Sequence, residues 1–319
     1  LENALQGFSC IAFPIDAAIL QTNAEHQHFA LMSKITKARK EAYLKLLDDE
    51  GLEVRRGLLN AFRQHGESAT EFLTEILDRH GSNFGRHARF FLHELGAINT
   101  VSEFRDFIDS LHYELETGLL MLERTVHPNT EIEDYHRVLD AMAERVRELH
   151  VEGTSSLEVC KILNRVIFHE FEFRGEKEDF YNPDNSFLGK VLDNRRGIPL
   201  TLSVVYLLVA DRFGFQLEPV GFPVRFMLGC FEEEVPFYID PFSGGTLLSR
   251  GDVESFLWEN KTTPMDSYFQ PTPVGEIICR SCRNLVHQYQ LADNTQMMDR
   301  FTSFVDEFER VYREHSTLE

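Results

Sequence analysis

The chain has 319 residues, 43% hydrophobic and 26% charged, enough to bury a large core and to form more than one domain. With 52 acidic against 32 basic side chains the net charge is −20, which argues against a protein built to grip a nucleic-acid backbone, because that task needs a basic face. The five cysteines have no framework spacing and fit a reducing compartment, so the cytoplasm is the expected location; the longest purely apolar run, Val204 to Ala210, is far short of the roughly 18 residues that span a bilayer, and no signal peptide or membrane segment is expected.

Residues 1 to about 30 are weakly patterned, and Pro14 breaks the mixed apolar run from Phe8 to Leu20. From Lys34 a helical period sets in, with Tyr43, Leu44 and Leu47, then Val54, Leu58, Ala61 and Phe62, then Ala69, Phe72, Leu73 and Ile76. The basic run Lys34 to Lys40 reads as the solvated face of a helix. Leu47 to Gly66 aligns without gaps on Leu77 to Gly96, an offset of thirty, and the pairs Leu58/Ala88, Ala61/Phe91 and Phe62/Leu92 keep the apolar face. His65, His80, His87 and His93 fall in the same region, but no pair has clear metal-ligand spacing, so no metal site is expected.

Phe104, Phe107, Ile108, Leu111, Leu115 and Leu119 mark further helix, which Pro128 and Asn129 interrupt. Thr130 with Glu133 reads as a capping box ahead of a stripe at Tyr135, Val138, Leu139, Met142, Val146 and Leu149. Gly153-Thr154 separates a third helix in which Leu163, Val166 and Ile167 face inward and Cys160 reads as a small buried hydrophobe. Gly175 to Asn194 reads as a long polar loop anchored by Phe180, Tyr181 and Phe187.

A Gly-Ile-Pro turn then feeds an almost wholly apolar helix from Leu200 to Ala210, closed by Gly214 in the left-handed position. Three short segments rich in Val, Phe and Ile follow as antiparallel strands, with Glu232 to Glu234 as a solvated turn and the last strand running into Asp240-Pro241. Beyond a Pro-containing linker, Thr262 to Pro273, two more helices are expected. In the first, Cys279 and Cys282 lack a second Cys pair, and Cys282 shares a face with Ile278, Leu285 and Tyr289, the pattern of core thiols rather than a zinc or redox site. In the second, Met298, Phe301, Phe304, Val305, Phe308 and Val311 form the stripe.

This order of parts, with Asn185 in YNPDNSFL, RRGIP at Arg195 to Pro199, VGFP at Val220 to Pro223 and IDPFSGG at Ile239 to Gly245, resembles the transglutaminase-like superfamily. More specifically it resembles the SirB-type family, whose domain also occurs in some F-box proteins. The match covers roughly residues 116 to 252. The resemblance implies an α+β fold with a papain/transglutaminase-like core, a buried helix on an antiparallel sheet, flanked by α-helical repeat-like regions. The N-terminal helices resemble HEAT-type repeats and the C-terminal pair a tetratricopeptide-like tail. The corresponding divisions are 1–100, 101–260 and 261–319.

In the superfamily a nucleophilic cysteine starts the buried helix, and a histidine and an aspartate follow on successive strands. Here the cysteine's place falls at or near Pro199, and the histidine's at Arg225, which stays protonated and cannot accept the nucleophile's proton. Asp240 alone survives of the three. The expectation is a degenerate site with no catalytic residue and no cofactor, in which Arg225 and Asp240 form an ion pair. Asn185, Arg196, Thr201 and Ser203 are the candidate cleft residues, the two hydroxyls serving for capping or packing. The expected function is a non-catalytic module that binds a protein or peptide partner. The alternative is a cysteine-protease- or transglutaminase-type hydrolase or transferase with a relocated nucleophile, Thr201, Ser203 or Cys230, served by His169 or His287.

Overall fold

The computed structural model describes residues 34–47, 49, 51–79, 82–128, 130 and 132–316, so the segment before Lys34, together with His80 and Asn129, lies outside the described residues. The chain divides into two units, residues 1–98 and 99–319.

Four described helices build the first unit: α1 (Lys37–Leu47), α2 (Leu52–His65), α3 (Glu67–Arg79) and α4 (Ser82–Glu94). The sequence offset of thirty carries α2 onto α4; the pairs Leu58/Ala88 and Phe62/Leu92 share one apolar cluster, while Ala61, paired with Phe91, is only half-buried. Leu58 and Phe62 of α2 lie in the same apolar cluster as Ala88, Phe91 and Leu92 of α4, with Ala69, Phe72, Leu73 and Ile76 of α3 between them in sequence. Phe62 meets Phe91 edge-on at 5.0 Å. The histidines serve this packing: His65 Nε2 lies 3.0 Å from the Tyr43 hydroxyl, and His87 Nδ1 lies 3.4 Å from Arg55 Nη2. Among the described residues no group of three or more His, Cys, Asp or Glu side chains is gathered for a metal ion.

The second unit begins with α5 (Thr100–Ser110), α6 (Leu115–Arg124), α7 (Ile132–Leu149) and α8 (Ser156–Asn164), which runs on as a π-helical turn, Arg165–Glu170. There follow β1 (Arg174–Gly175), a 3-10 turn (Pro183–Ser186), α9 (Leu188–Asn194), β2 (Arg196–Gly197) and α10 (Pro199–Phe213). Next come β3 (Glu218–Gly221), β4 (Phe226–Cys230), β5 (Phe237–Asp240) and β6 (Thr246–Leu248), then α11 (Arg250–Glu259), α12 (Val274–Leu291) and α13 (Thr295–Ser316). Strands β3 to β6 form an antiparallel sheet in chain order, with Leu228 opposite both Pro219 and Ile239. The unit is therefore mostly helical with a small antiparallel sheet, consistent with an α+β class.

The larger of this unit's two apolar clusters is built around α10. Its side chains from Leu200 to Ala210 are buried except Leu207, which is half-buried, so the helix has no polar face. It lies against α7 on one side and β4 on the other. It stops at Gly214, whose φ of 92° is open to glycine, and whose N–H closes on the carbonyls of Ala210 (3.0 Å) and Asp211 (2.9 Å). Inside the core the Tyr206 hydroxyl donates to the Cys160 carbonyl at 3.1 Å. At its far end Arg212 grips Glu116 through two bonds of 2.6 and 2.8 Å. The C-terminal pair α12 and α13 shares this core: Phe301, Phe304, Phe308 and Val311 are buried in it, and Phe304 meets Phe104 edge-on at 4.9 Å.

Three local expectations change. The stripe from Phe104 to Leu119 is not one helix, because Leu111, at φ 57°, ends α5 and the chain re-enters helix only at Leu115. The stretch from Gly175 to Asn194 is not loop throughout, because Phe187, Leu188, Val191 and Leu192 bury themselves and so hold α9, a helix of 7 residues that would not form in isolation. Thr130 does not cap α7 in the expected way; its hydroxyl donates to the His127 carbonyl at 2.7 Å and closes the preceding turn. Among the described residues no helix is long and apolar enough to cross a membrane.

Candidate functional site

The start of α10 is shaped by what precedes it. Arg195, at φ 57°, ends α9 in the left-handed region, Arg196 and Gly197 pair with β1, and extended Ile198 delivers the chain to Pro199. Proline suits the first helical position because its missing N–H would have no helical partner there. The neighbouring hydroxyls are committed inward. Thr201 Oγ1 accepts the Ile198 N–H at 3.1 Å and donates to the Asn185 carbonyl at 2.8 Å, while Ser203 Oγ donates to the Phe226 carbonyl at 3.3 Å. Asn185, itself buried, sends its amide to the Asp179 carbonyl at 2.7 Å and so fastens the preceding loop over the helix start.

Across from this start, Arg225 stands just before β4 and Asp240 ends β5. Arg225 Nη1 donates to Asp240 Oδ2 at 2.7 Å and to Ser243 Oγ at 3.1 Å. Asp240 is only 3% exposed, and it accepts three further bonds: from the Phe242 N–H (3.1 Å), the Ser243 N–H (3.3 Å) and the Ser243 hydroxyl (2.8 Å). The guanidinium lies over the rings of Phe242 (5.2 Å) and Phe256 (5.0 Å). This is a closed set of bonds, with no lone pair of Asp240 left to orient another group.

Between these elements opens a cleft of about 230 Å³ lined by Pro199, Arg225, Tyr181, Arg280, Asn284 and His287, with apolar walls from Phe180, Leu200, Val224 and Phe226. Arg280 Nη2 donates to the Phe222 carbonyl at 2.8 Å, its guanidinium sits 5.5 Å from the Phe226 ring, and burial pushes its pKa down. His287 meets Tyr181 edge-on at 5.5 Å. Gln288 accepts from the Ser186 hydroxyl at 2.8 Å, tying α12 to the 3-10 turn.

Of the residues singled out in the sequence, Pro199 and Arg225 line this cleft, and Asp240 stands behind Arg225. Asn185, Thr201 and Ser203 are not on its wall. Arg196 lines a different groove, on the side of β1 and β2, and His169 lies there too. Cys230 is buried in β4 with its thiol pKa raised by burial, and burial pushes that of Cys160 up to about 12. Of the wall from α12, His287 is named from the sequence as a candidate base, and it does line the cleft; Arg280, Asn284 and Gln288 are absent from the sequence candidates. Arg280, Asn284, His287 and Gln288 are spaced as one helical face, and that spacing is the signal the sequence offers for it. The lining holds no serine, threonine or cysteine. Chemically it offers guanidinium, amide and imidazole groups between aromatic walls.

Residues 133–283, which include the buried helix and the antiparallel sheet, match the family model of the transglutaminase-like superfamily. That span runs from α7 into α12 and contains the whole cleft except its last lining residues. The chain is 28% identical to a UPF0162 protein of Vibrio cholerae over 149 residues, 46% of this chain and 55% of the relative. It is 28% identical to a UPF0162 protein of Xylella fastidiosa over 207 residues, 62% of this chain and 72% of the relative. It is also 25% identical to the F-box only protein 21 of Mus musculus over 233 residues, 64% of this chain but 36% of the relative. The chain thus spans about half the length of the Vibrio protein and about a third of the F-box protein. No solved structure matches.

Proposed function

We propose that this chain is a non-catalytic, SirB-type transglutaminase-like protein, papain-like in its core, whose cleft at the start of α10 binds a peptide segment of a protein partner. The observation that carries the reading is the composition of the cleft: guanidinium, imidazole and amide donors converge between aromatic walls, and no hydroxyl or thiol of a serine, threonine or cysteine lies among them. Pro199, Arg225 and Asp240 are read as the degenerate positions of the cysteine, histidine and aspartate. Arg225 and Asp240 are bound to each other at 2.7 Å, a pair that holds charge but moves no proton. The N-terminal helices, read as HEAT-like, and the C-terminal pair, read as tetratricopeptide-like, are the kinds of element that present surfaces to partners. The described cysteines, Cys160, Cys230, Cys279 and Cys282, are unpaired and buried, which supports a reducing, cytoplasmic setting.

One feature favours the second reading, a hydrolase or transferase with a relocated nucleophile: His287 lines the same cleft as Pro199. The test is to incubate the chain with a glutamine-containing peptide and a labelled primary amine, and separately with a fluorogenic peptide library. Binding without turnover, weakened in Arg280→Gln, supports the binding module. Turnover that disappears in His287→Ala reverses the assignment.

A further inference from the structure

A second concavity, of about 590 Å³, opens where the π-helical turn, β1, β2 and the turn after Asp240 meet. Its charged lining is His169, Arg174, Lys177 and Arg196, and no acidic side chain contributes. In a chain of net charge −20 this is unusual placement. Nine arginines among the described residues of the second unit hold a carboxylate at ion-pair distance. Arg174, Lys177 and Arg196 hold none among the described residues. Glu176 feels the charge of Arg196, but its carboxylate is already engaged by the N–H groups of Glu178 (2.8 Å) and Asp179 (3.1 Å).

The backbone forces two of these cations together. β1 and β2 are parallel, with Arg174 the direct partner of Arg196 and Gly175 of Gly197. Like charges at facing positions on neighbouring strands repel and cost stability. The strands are about 4.8 Å apart, a spacing at which two guanidinium groups can share the oxygens of one tetrahedral anion. The opposite wall is firmly held. Gly175 carries no side chain because a Cβ there would stand 2.7 Å from the Phe242 carbonyl oxygen. Asn164 Nδ2 donates to the Gly245 carbonyl at 2.7 Å and pins the turn that presents Phe242, Ser243 and Gly244.

We propose that this groove binds a phosphate group, carried by a small molecule, between Arg174 and Arg196 with Lys177 at its rim. Guanidinium forks match phosphate geometry, the volume lies within the range of small-ligand sites, and Phe242 offers an aromatic wall to an organic substituent. The anion would relieve the Arg174–Arg196 repulsion. The proposal stands apart from the peptide reading of the Pro199 cleft, whose Arg280 takes no part here.

The test is calorimetric titration of the full chain with inorganic phosphate, pyrophosphate and phenyl phosphate, with sodium chloride at matched ionic strength as the reference. Saturable binding at one site is expected, weakened at least about tenfold in Arg174→Gln/Arg196→Gln, undiminished in Arg280→Gln, and partly retained in Arg174→Lys/Arg196→Lys. Both arginines are solvent-exposed, so circular dichroism of the double variant should match the parent. Tighter binding of phenyl phosphate than of inorganic phosphate assigns an organic phosphate, and equal affinity assigns the free ion. Absence of saturable binding, or binding untouched by the double substitution, overturns the proposal.

Discussion

Asp240 and Glu123 are both carboxylates that the second unit hides from water, and the two are supplied very differently. Asp240 receives a guanidinium, two backbone N–H groups and a hydroxyl. Glu123, with no exposed surface, receives the Gly189 N–H at 2.6 Å and stands 3.5 Å from the Thr130 hydroxyl. Burial raises its pKa to about 7, against the opposing pull of the Gly189 N–H and Lys190. A buried carboxylate that is given a cation and enough donors can keep its charge, whereas one given little more than a single backbone N–H takes up a proton near neutral pH. The Asp240 carboxylate thus has a donor for each of its lone pairs within its own corner.

The sharpest test of that contrast is Arg225→Met. It strands Asp240 without its cation and should lower stability by about 3 kcal/mol in urea unfolding, with Arg225→Met/Asp240→Asn recovering a large part. A loss below about 1 kcal/mol would show that the other donors suffice, and the contrast would weaken. Glu123→Gln addresses the other side. The folded pKa of about 7 lies above the ordinary 4.5, so the folded chain binds the proton more tightly than the unfolded chain does. The associated stability is full below the unfolded value, is lost as pH rises through the folded value, and amounts to roughly 3 kcal/mol at most. Unfolding curves between acid and mildly alkaline pH should show that decline in the parent and its disappearance in Glu123→Gln.

Thr201→Val should cost about 1.5 kcal/mol, because it removes the bond to the Asn185 carbonyl and leaves the Ile198 N–H only that carbonyl, at 3.5 Å, as acceptor. The same variant should leave peptide binding unchanged. If it abolished a hydrolytic activity instead, the hydroxyl would be a nucleophile and not a clasp. Smallest of all, Glu233→Gln in the exposed turn between β4 and β5 should shift stability by less than about 0.5 kcal/mol, a baseline for surface charge in this unit.

Helices with long apolar stripes are legible in the sequence, because apolar residues recurring every 3.6 positions over three or more turns line up only on the face of a helix. So are α10 with its Gly214 stop, and β3 to β5 with their bounding prolines and glycines. The short elements are not. β1 and β2 have 2 residues each, β6 has 3 and α9 has 7, too few for any period to show. They exist because β1 and β2 find each other across the intervening loop and because α9 buries Phe187, Leu188, Val191 and Leu192. In the cleft, Pro199, Arg225 and His287 can be named from the sequence, whereas Arg280, Asn284 and Gln288 cannot, since nothing local links residues 199 and 280.

What the sequence by itself determined is the inventory: which side chains carry a thiol, an imidazole or a guanidinium, and an excess of acid over base. Covalent and proton-transfer chemistry depends on atoms that are either present in a side chain or absent, and that is readable without a fold. Tertiary structure decided where the available donors go. It turned Thr201 toward the Asn185 carbonyl, closed Arg225 onto Asp240, and set Arg174 beside Arg196 with no acid between them, because hydrogen bonds and charge pairs act only over a few ångströms and only folding brings residues so distant in the chain that close.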